Sequence, residues 1–428
     1  MQCPPSKLRS RPSTSPLLAA AGLSVGLLAG CVSDALSIGD DSPSEVEVHA
    51  RELSQRVLIL DGHIDVPYRL RSRMEDISER TEGGHFDYPR AVEGGLNAPF
   101  MSIYVPASTQ LDGTAKVVGD ELIDLVERIA EESPDKFVVA TSVEDVRRAF
   151  RDKRIAFLMG MENGAPIMDD LANLDHFYLR GVRYITLCHS KDNLICDSSY
   201  DETEDTHDGL SDFGVEVVRR MNDLGILVDI SHVSDEAFWD VMEVARLPAI
   251  ASHSSLRKFT PGWERNMTDE MIAALAAQGG VVQISFGSWF LTKEFQDAGR
   301  QREAEFEALA AERGWFSGTD RYREELQAWH EAHPLPTVDV EDVADHIDHA
   351  VSVVGIDHVG LGSDFDGVGS LPEGLKDVSG YPNLIAELLR RGYTDSDIKK
   401  ICSDNVLRVL AAAERGATRV LSVPATGM

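Results

Sequence analysis

The 428-residue chain carries 41 Lys and Arg against 72 Asp and Glu, a formal charge of -31. A field of that sign repels nucleic acid and anionic lipid, which excludes polyanion binding as a function class. Hydrophobic residues make up 43%, enough for a sizeable core and too many for a disordered chain.

At the N-terminus, Lys7, Arg9 and Arg11 precede an apolar, small-residue run from Pro16 to Ala29, which ends in Leu28-Ala29-Gly30-Cys31. Charge, apolar core and small residues in that order form a secretory signal. The ending has the shape of a bacterial lipobox, in which Cys31 is lipidated and becomes the new first residue. An ordinary signal peptide with a cysteine nearby is the alternative. Residues 1–30 are thus expected to leave as a leader. Residues 31–50, including the stretch DALSIGDDSPSEVE at 34–47, read as a flexible acidic tether. A catalytic domain over 51–415 and a tail over 416–428 follow. The expected location is the cell envelope, as an exported lipoprotein on the periplasmic side of the outer membrane; Val32 is not the Asp associated with inner-membrane retention. No later stretch reaches the roughly 18 uncharged apolar residues that span a bilayer.

Apolar runs ending in polar residues then recur along the chain. They are Val57–Ile64, Ala98–Val105, Ile155–Met161, Arg183–Cys188, Ile226–Ser231, Ala249–Ser252, Val281–Phe286 and His358–Ser363. The clearest helical segments between them are Asp120–Glu132, Val143–Arg151, Phe213–Leu224, Asp235–Ala245 and Asp269–Ala277, with Ser234 and Thr268 as N-caps. Eight strands alternating with helices predict an α/β fold, a (β/α)8 TIM-type barrel. A doubly wound open sheet is the second choice. Residues 287–340 form a helical insertion after strand 7, read either as peripheral decoration or as a lid. Tyr381–Arg391 and Ser396–Ala413 read as terminal helices. Of the five cysteines, Cys3 lies in the leader and Cys31 at the lipidation site. Cys188, Cys196 and Cys402 are too few for a disulfide framework. The first two are close enough in sequence to pair, which spacing alone does not decide.

Six of the strands end in a His, Asp or Glu: DGHID at 61–65, MENG at 161–164, CHS at 188–190, DISH at 229–232, SHSS at 252–255 and SDFDG at 363–367. In a barrel these ends converge on one rim, where active sites lie. His63 and Asp65 are two apart on an extended segment and point to one face. Imidazole nitrogen and carboxylate oxygen both suit zinc. With Glu162, His232 and His253 added, two sites of three protein donors result if Glu162 bridges. Divalent cations would also remove the cost of burying so many ionisable groups. Asp61 either orients His63 or caps loop backbone, and Asp366 is read as structural. A lone buried histidine is usually a hydrogen-bonded core residue; His49, His85, His176, His207, His330, His333, His346, His349 and His358 are read that way.

These residues resemble the membrane (renal-type) dipeptidases, a family of zinc peptidases. The matching segments are DGHIDVP at 61–67, MGMENG at 159–164, YITLCHS at 184–190, GILVDISHVS at 225–234, ASHSS at 251–255 and GSDFDG at 362–367. The tail segment at 377–410 matches too, so the resemblance spans about residues 52–413 in the family's order. It implies two zinc ions on a (β/α)8 barrel, with His63 and Asp65 on one, His232 and His253 on the other, and Glu162 bridging. It also implies that His189 contacts the substrate carbonyl and that Asp364 handles the proton of the attacking water. Arg265 would bind the terminal carboxylate of the substrate, from a loop one residue longer than the family's. The implied activity is dipeptide hydrolysis by a zinc-bridging hydroxide, in some family members with a D-residue at the second position. Dipeptides are then the partners, the membrane is met only through the lipid on Cys31, nucleic acid is not a partner, and a homodimer is admitted. One rival is another binuclear-metal hydrolase of the amidohydrolase type, a lactonase or phosphotriesterase; HxD in place of HxH, and Glu162 on the third strand, count against it. The other rival is a non-catalytic metal- or solute-binding lipoprotein, against which His189 and Asp364 count.

Overall fold

The computed structural model describes residues 43–201 and 206–418. The leader, the lipidation site at Cys31, most of the acidic tether and the tail from 419 lie outside the described residues.

Strands Ile59–Ile64, Leu96–Tyr104, Ile155–Glu162, Val182–Thr186, Leu227–Asp229, Ile250–Ser254, Val281–Ile284 and Val359–Leu361 pair in parallel, each with the next in chain order. The ring closes through a parallel bridge between Ile64 and Phe365, just past the eighth strand. Asp65 N donates to Phe365 O at 2.8 Å there, and Asp364 N to His63 O at 3.0 Å. The architecture is therefore the (β/α)8 barrel rather than an open sheet. A further strand, Phe137–Val139, pairs outside the ring with the third barrel strand. It is too short to stand out as an apolar run.

Alternation decides what fills the ring. Leu58 and Leu60, Ala98 and Phe100, and Ala156 and Leu158 pack together in the barrel interior with Tyr184, Leu227, Ile250 and Val281. Their neighbours, such as Ile59, Phe157, Met159, Ile185, Val228 and Val282, join the larger apolar cluster that the surrounding helices cover. Apolar faces of helices Val143–Arg151 and Asn405–Gly416 join the interior cluster from the N-terminal end of the strands. The C-terminal rim is left as the mouth.

The predicted caps form. Ser234 Oγ accepts from Ala237 N at 3.1 Å, and Thr268 Oγ1 from Met271 N at 3.2 Å. One boundary is corrected. Helix Glu45–Ser54 begins inside the segment expected to be a tether through residue 50, because Ser44 and Glu47 form a reciprocal capping box and Ala50 and Leu53 are buried. The second terminal helix is interrupted by a π-helical turn, Lys400–Asp404, between Asp395–Lys399 and Asn405–Gly416. The insertion folds as helices Ser288–Leu291, Lys293–Arg313 and Asp320–Ala332. No helix among the described residues is long and apolar enough to cross a membrane.

Candidate active site

The strand tips bring His63, Asp65, Glu162, His189, His232, His253 and Asp364 to the mouth. Glu162 lies between the imidazoles. Its Oε2 is 3.4 Å from His63 Nε2, while its Oε1 is 3.1 Å from His232 Nε2, 3.3 Å from His253 Nε2 and 3.7 Å from His189 Nε2. His63 Nε2 also lies 3.3 Å from Asp65 Oδ2. Candidate ligand atoms of His63, Asp65 and Asp364 all fall within 4.8 Å of one another, as do those of His63, Glu162 and His253 and those of Glu162, His189 and His232. One carboxylate thus faces two groups of donors through different oxygens.

Neighbouring hydroxyls decide which ring nitrogens carry a lone pair. Tyr184 OH donates to Gly62 O at 3.1 Å and so accepts from His63 Nδ1 at 2.8 Å. In the neutral ring His63 Nε2 is then the bare nitrogen. Against the lowering effect of burial, Tyr184, Glu162 and Asp65 raise the affinity of that ring for a proton well above the ordinary histidine value, so a metal there would take the proton's place. Ser252 Oγ donates to Asp229 Oδ2 at 2.6 Å and accepts from His253 Nδ1 at 2.8 Å, which leaves His253 Nε2 bare in the same way. That atom stands 2.8 Å from His232 Nε2. Gly160 makes the first relay sterically feasible: a Cβ there would come within 1.9 Å of Tyr184 Cζ.

Backbone strain aims two of the side chains. His232 and Asp364 have φ of 71° and 65°, in the left-handed region that costs an L-residue on the order of 1–3 kcal/mol. His232 is held there by Ser199, whose N donates to His232 O at 2.8 Å. Asp364 is held by its bond to His63 O and by Gly367 N, which donates to Asp364 O at 3.1 Å. At Gly367 a Cβ would meet Asp65 Oδ2 at 2.2 Å and Asp364 Oδ1 at 2.3 Å, so the turn passes over both carboxylates only as glycine.

Charge follows burial and neighbours. Burial alone would raise the Glu162 carboxyl, but the imidazoles of His63, His189, His232 and His253 outweigh it and hold Glu162 well below the usual carboxylate range. Burial drives His232 and His253 well below the ordinary histidine value, with the Arg265 charge and, for His253, the neighbouring His63 adding to it. Both rings are therefore neutral, the form that binds metal. Burial pushes Asp364 well above the carboxylate range, with Asp65 and Glu162 adding to the rise against the lowering effect of His63.

The donor set fits divalent metal. His63 Nε2, Asp65 Oδ1, His189 Nδ1 and His232 Nδ1 are buried without a hydrogen-bond partner among the described residues. Buried polar atoms are rarely left so. His63 Nε2 is the one of these that faces Glu162, at 3.4 Å, while His189 and His232 turn Nε2 to that carboxylate and leave Nδ1 on the far side of the ring. Imidazole and carboxylate at a barrel mouth suit zinc.

A cavity of about 770 Å³ opens over these groups. Tyr68, Tyr104 and Tyr200 form part of its wall, and the insertion supplies Trp289, Phe290, Phe295, Arg302 and His330. The insertion is thus a wall of the site, not peripheral decoration. His330, read from the sequence as structural, lines the cavity. For Asp61 the structure selects the second of its two readings. Asp61 accepts from His63 N at 2.9 Å and Ser363 N at 3.0 Å and from the Tyr381 hydroxyl, so it caps backbone and does not touch the His63 ring. Asp366 holds Arg69 Nε at 2.9 Å and His85 N at 2.7 Å, a structural use. Arg265 is 2% exposed, with Nη1 on Ser254 Oγ and Nη2 on His253 O, both at 2.7 Å, and its Nε buried and unpartnered. Cys188, Cys196 and Cys402 are free thiols, all buried.

Tyr184, Asp229, Tyr200 and Arg302 were not found by sequence reasoning. Asp229 had a readable signal. Like Asp61 it lies on a barrel strand shortly before a histidine, and like Asp61 it accepts the N–H two residues on, from Ser231 at 3.1 Å.

Fold and donor set together define a metal-dependent hydrolase on a (β/α)8 barrel. The chain belongs to the membrane dipeptidase family (Peptidase family M19), whose model matches residues 47–422. Dipeptidase tcpJ of Claviceps purpurea is 34% identical over 380 residues, covering 84% of this chain and 80% of that protein. The crystal structure of the probable dipeptidase PvdM from Pseudomonas aeruginosa is similar, with a TM-score of 0.75 and 28% identity over 88% of this chain and 100% of that one. A metallo peptidase from Rhodobacter sphaeroides, solved with a phosphinate mimic of the dipeptide L-Ala-D-Ala, matches with a TM-score of 0.69 and 26% identity over 83% of this chain and 99% of its own.

Proposed function

We propose that this chain hydrolyses the peptide bond of dipeptides with two zinc ions held at the barrel mouth. His63 and Asp65 serve one ion, His232 and His253 the other, and Glu162 both. The observation that carries this reading is Glu162 itself, an ionised carboxylate with each oxygen facing a different set of imidazoles. When bound, two such ions polarise the scissile carbonyl and make water a competent nucleophile near neutral pH.

The protein's own groups do the rest. His189 donates to the oxygen that gains charge as the carbonyl becomes tetrahedral. Asp364, whose burial raises its affinity for protons, takes the proton of the attacking water and passes it to the leaving amine. Arg265 offers its free Nε, close to the cavity-lining Tyr200, to the terminal carboxylate. A chain extended past that point has no carboxylate there, which limits substrates to dipeptides. The L-Ala-D-Ala mimic bound by the Rhodobacter relative supports acceptance of a D-residue at the second position. Residues 1–31 support export and a lipid anchor at Cys31, on the periplasmic side of the outer membrane.

Zinc-loaded protein is expected to release free amino acids from unblocked dipeptides of both stereochemistries, and amidation of the C-terminal carboxylate should abolish turnover. Turnover of lactones or phosphotriesters but not dipeptides would overturn the reading in favour of an amidohydrolase type. Zinc binding without turnover of any of these would leave a solute-binding protein.

A further inference from the structure

The insertion brings a cation to the cavity that catalysis leaves idle. Arg302, on helix Lys293–Arg313, lines both the catalytic cavity and an adjoining one of about 390 Å³. Its side chain is only 18% exposed, and its Nε is buried with no hydrogen-bond partner among the described residues. The ion pair from its Nη2 to Glu303 Oε1 is long, 3.5 Å, and that same oxygen is taken by His330 Nε2 at 2.9 Å. Lys376, the other cation lining the adjoining cavity, is matched by Glu373 at 2.9 Å. Trp329 Nε1 donates to Arg302 O at 3.2 Å, so two packed helices present the side chain.

A guanidinium offers its donors in a planar fork that fits a carboxylate, and a half-satisfied fork away from water is unfavourable until an anion meets it. The floor of the same cavity holds Asp65, Glu162 and Asp364, so Arg302 stands out as the positive point on its wall. Arg265 is already committed to the terminal carboxylate. We infer that Arg302 binds a second carboxylate, on an acidic side chain of the substrate, and makes dipeptides containing Asp or Glu the preferred class. This rests on the dipeptidase reading above. The adjoining cavity gives that side chain its room.

The test compares kcat/KM for Glu-Ala with Gln-Ala and for Ala-Glu with Ala-Gln, pairs of equal shape that differ in one charge. The zinc-loaded parent should favour the acid by about tenfold or more at one of the two positions. In Arg302→Met, which keeps the aliphatic stem, that ratio should fall to near one, with thermal unfolding reporting that the protein is folded. In Glu303→Gln, which removes the competing carboxylate, it should rise, and this variant decides the matter if Arg302→Met does not fold. A parent ratio near or below one at both positions, or a ratio that neither variant moves, overturns the inference. The same pairs titrated into zinc-loaded Asp364→Asn give Kd ratios without turnover. If the parent cleaves no dipeptide, the dipeptidase reading fails, while those Kd ratios still support or overturn the role of Arg302.

Discussion

Arg265 spends two nitrogens on the fold and leaves its Nε without a hydrogen-bond partner, so the binding role proposed for it can be tested apart from its scaffold role. Arg265→Met preserves the stem against Phe290, over whose ring the guanidinium sits at 5.1 Å. Loss of a charged hydrogen bond to the substrate should raise KM for dipeptides about 10- to 100-fold and change kcat far less. Zinc loss, or a fall confined to kcat, would assign Arg265 to the scaffold alone. His63, Asp65, Glu162, His232 and His253 were legible because each ends a strand, and strand ends of a parallel barrel must meet. The groups that fix their lone pairs were not legible. Tyr184 reaches His63 from the fourth strand, 121 positions away, and no spacing in a sequence records such a meeting. For the same reason the sequence left two readings of Asp61 open. Next to a histidine in sequence, it is used by backbone.

At the scale of elements, helix Val340–Val354 ties the loop after the sixth strand to the insertion through one side chain. His346 Nδ1 accepts from Leu256 N at 3.0 Å and Nε2 donates to Leu291 O at 2.9 Å. A protonated ring could not accept the first bond. Burial lowers this histidine from 6.5 to about 4, against the raising effects of its bond to Leu291 and of Asp345. Above pH 6.5 the ring is neutral folded or unfolded and adds no pH dependence. As pH falls from 6.5 to 4 the unfolded chain binds a proton that the native one refuses, so stability is lost, by about 3 kcal/mol across the window. His346→Gln should be less stable than the parent at pH 7, with the gap in unfolding free energy narrowing steadily toward pH 4.5. A gap that stays constant would remove His346 from the acid response. Capped helices such as Asp235–Val244 and Asp269–Ala277 were readable to within a residue or two. The short outer strand and the π-helical turn were not, because one is only three residues long and the other keeps the apolar periodicity of the helices around it.

For the whole molecule, the sequence implied eight strands but not how the ring shuts, which depends on bonds between Ile64 or Asp65 and the turn after the eighth strand. Nor did it decide where the insertion packs. Its helices read as amphipathic, and only the folded barrel shows that they wall the mouth. The mouth concentrates buried carboxylates and neutral imidazoles in a chain already carrying a charge of -31. Such a cluster is costly empty and stabilising when cations fill it. The central claim is that Glu162 joins two metal sites, and metal content measures it directly. Elemental analysis of purified, zinc-equilibrated protein should find two zinc ions per chain, and Glu162→Ala should retain neither, with activity falling alongside. Full zinc occupancy in the folded Glu162→Ala protein would contradict the account.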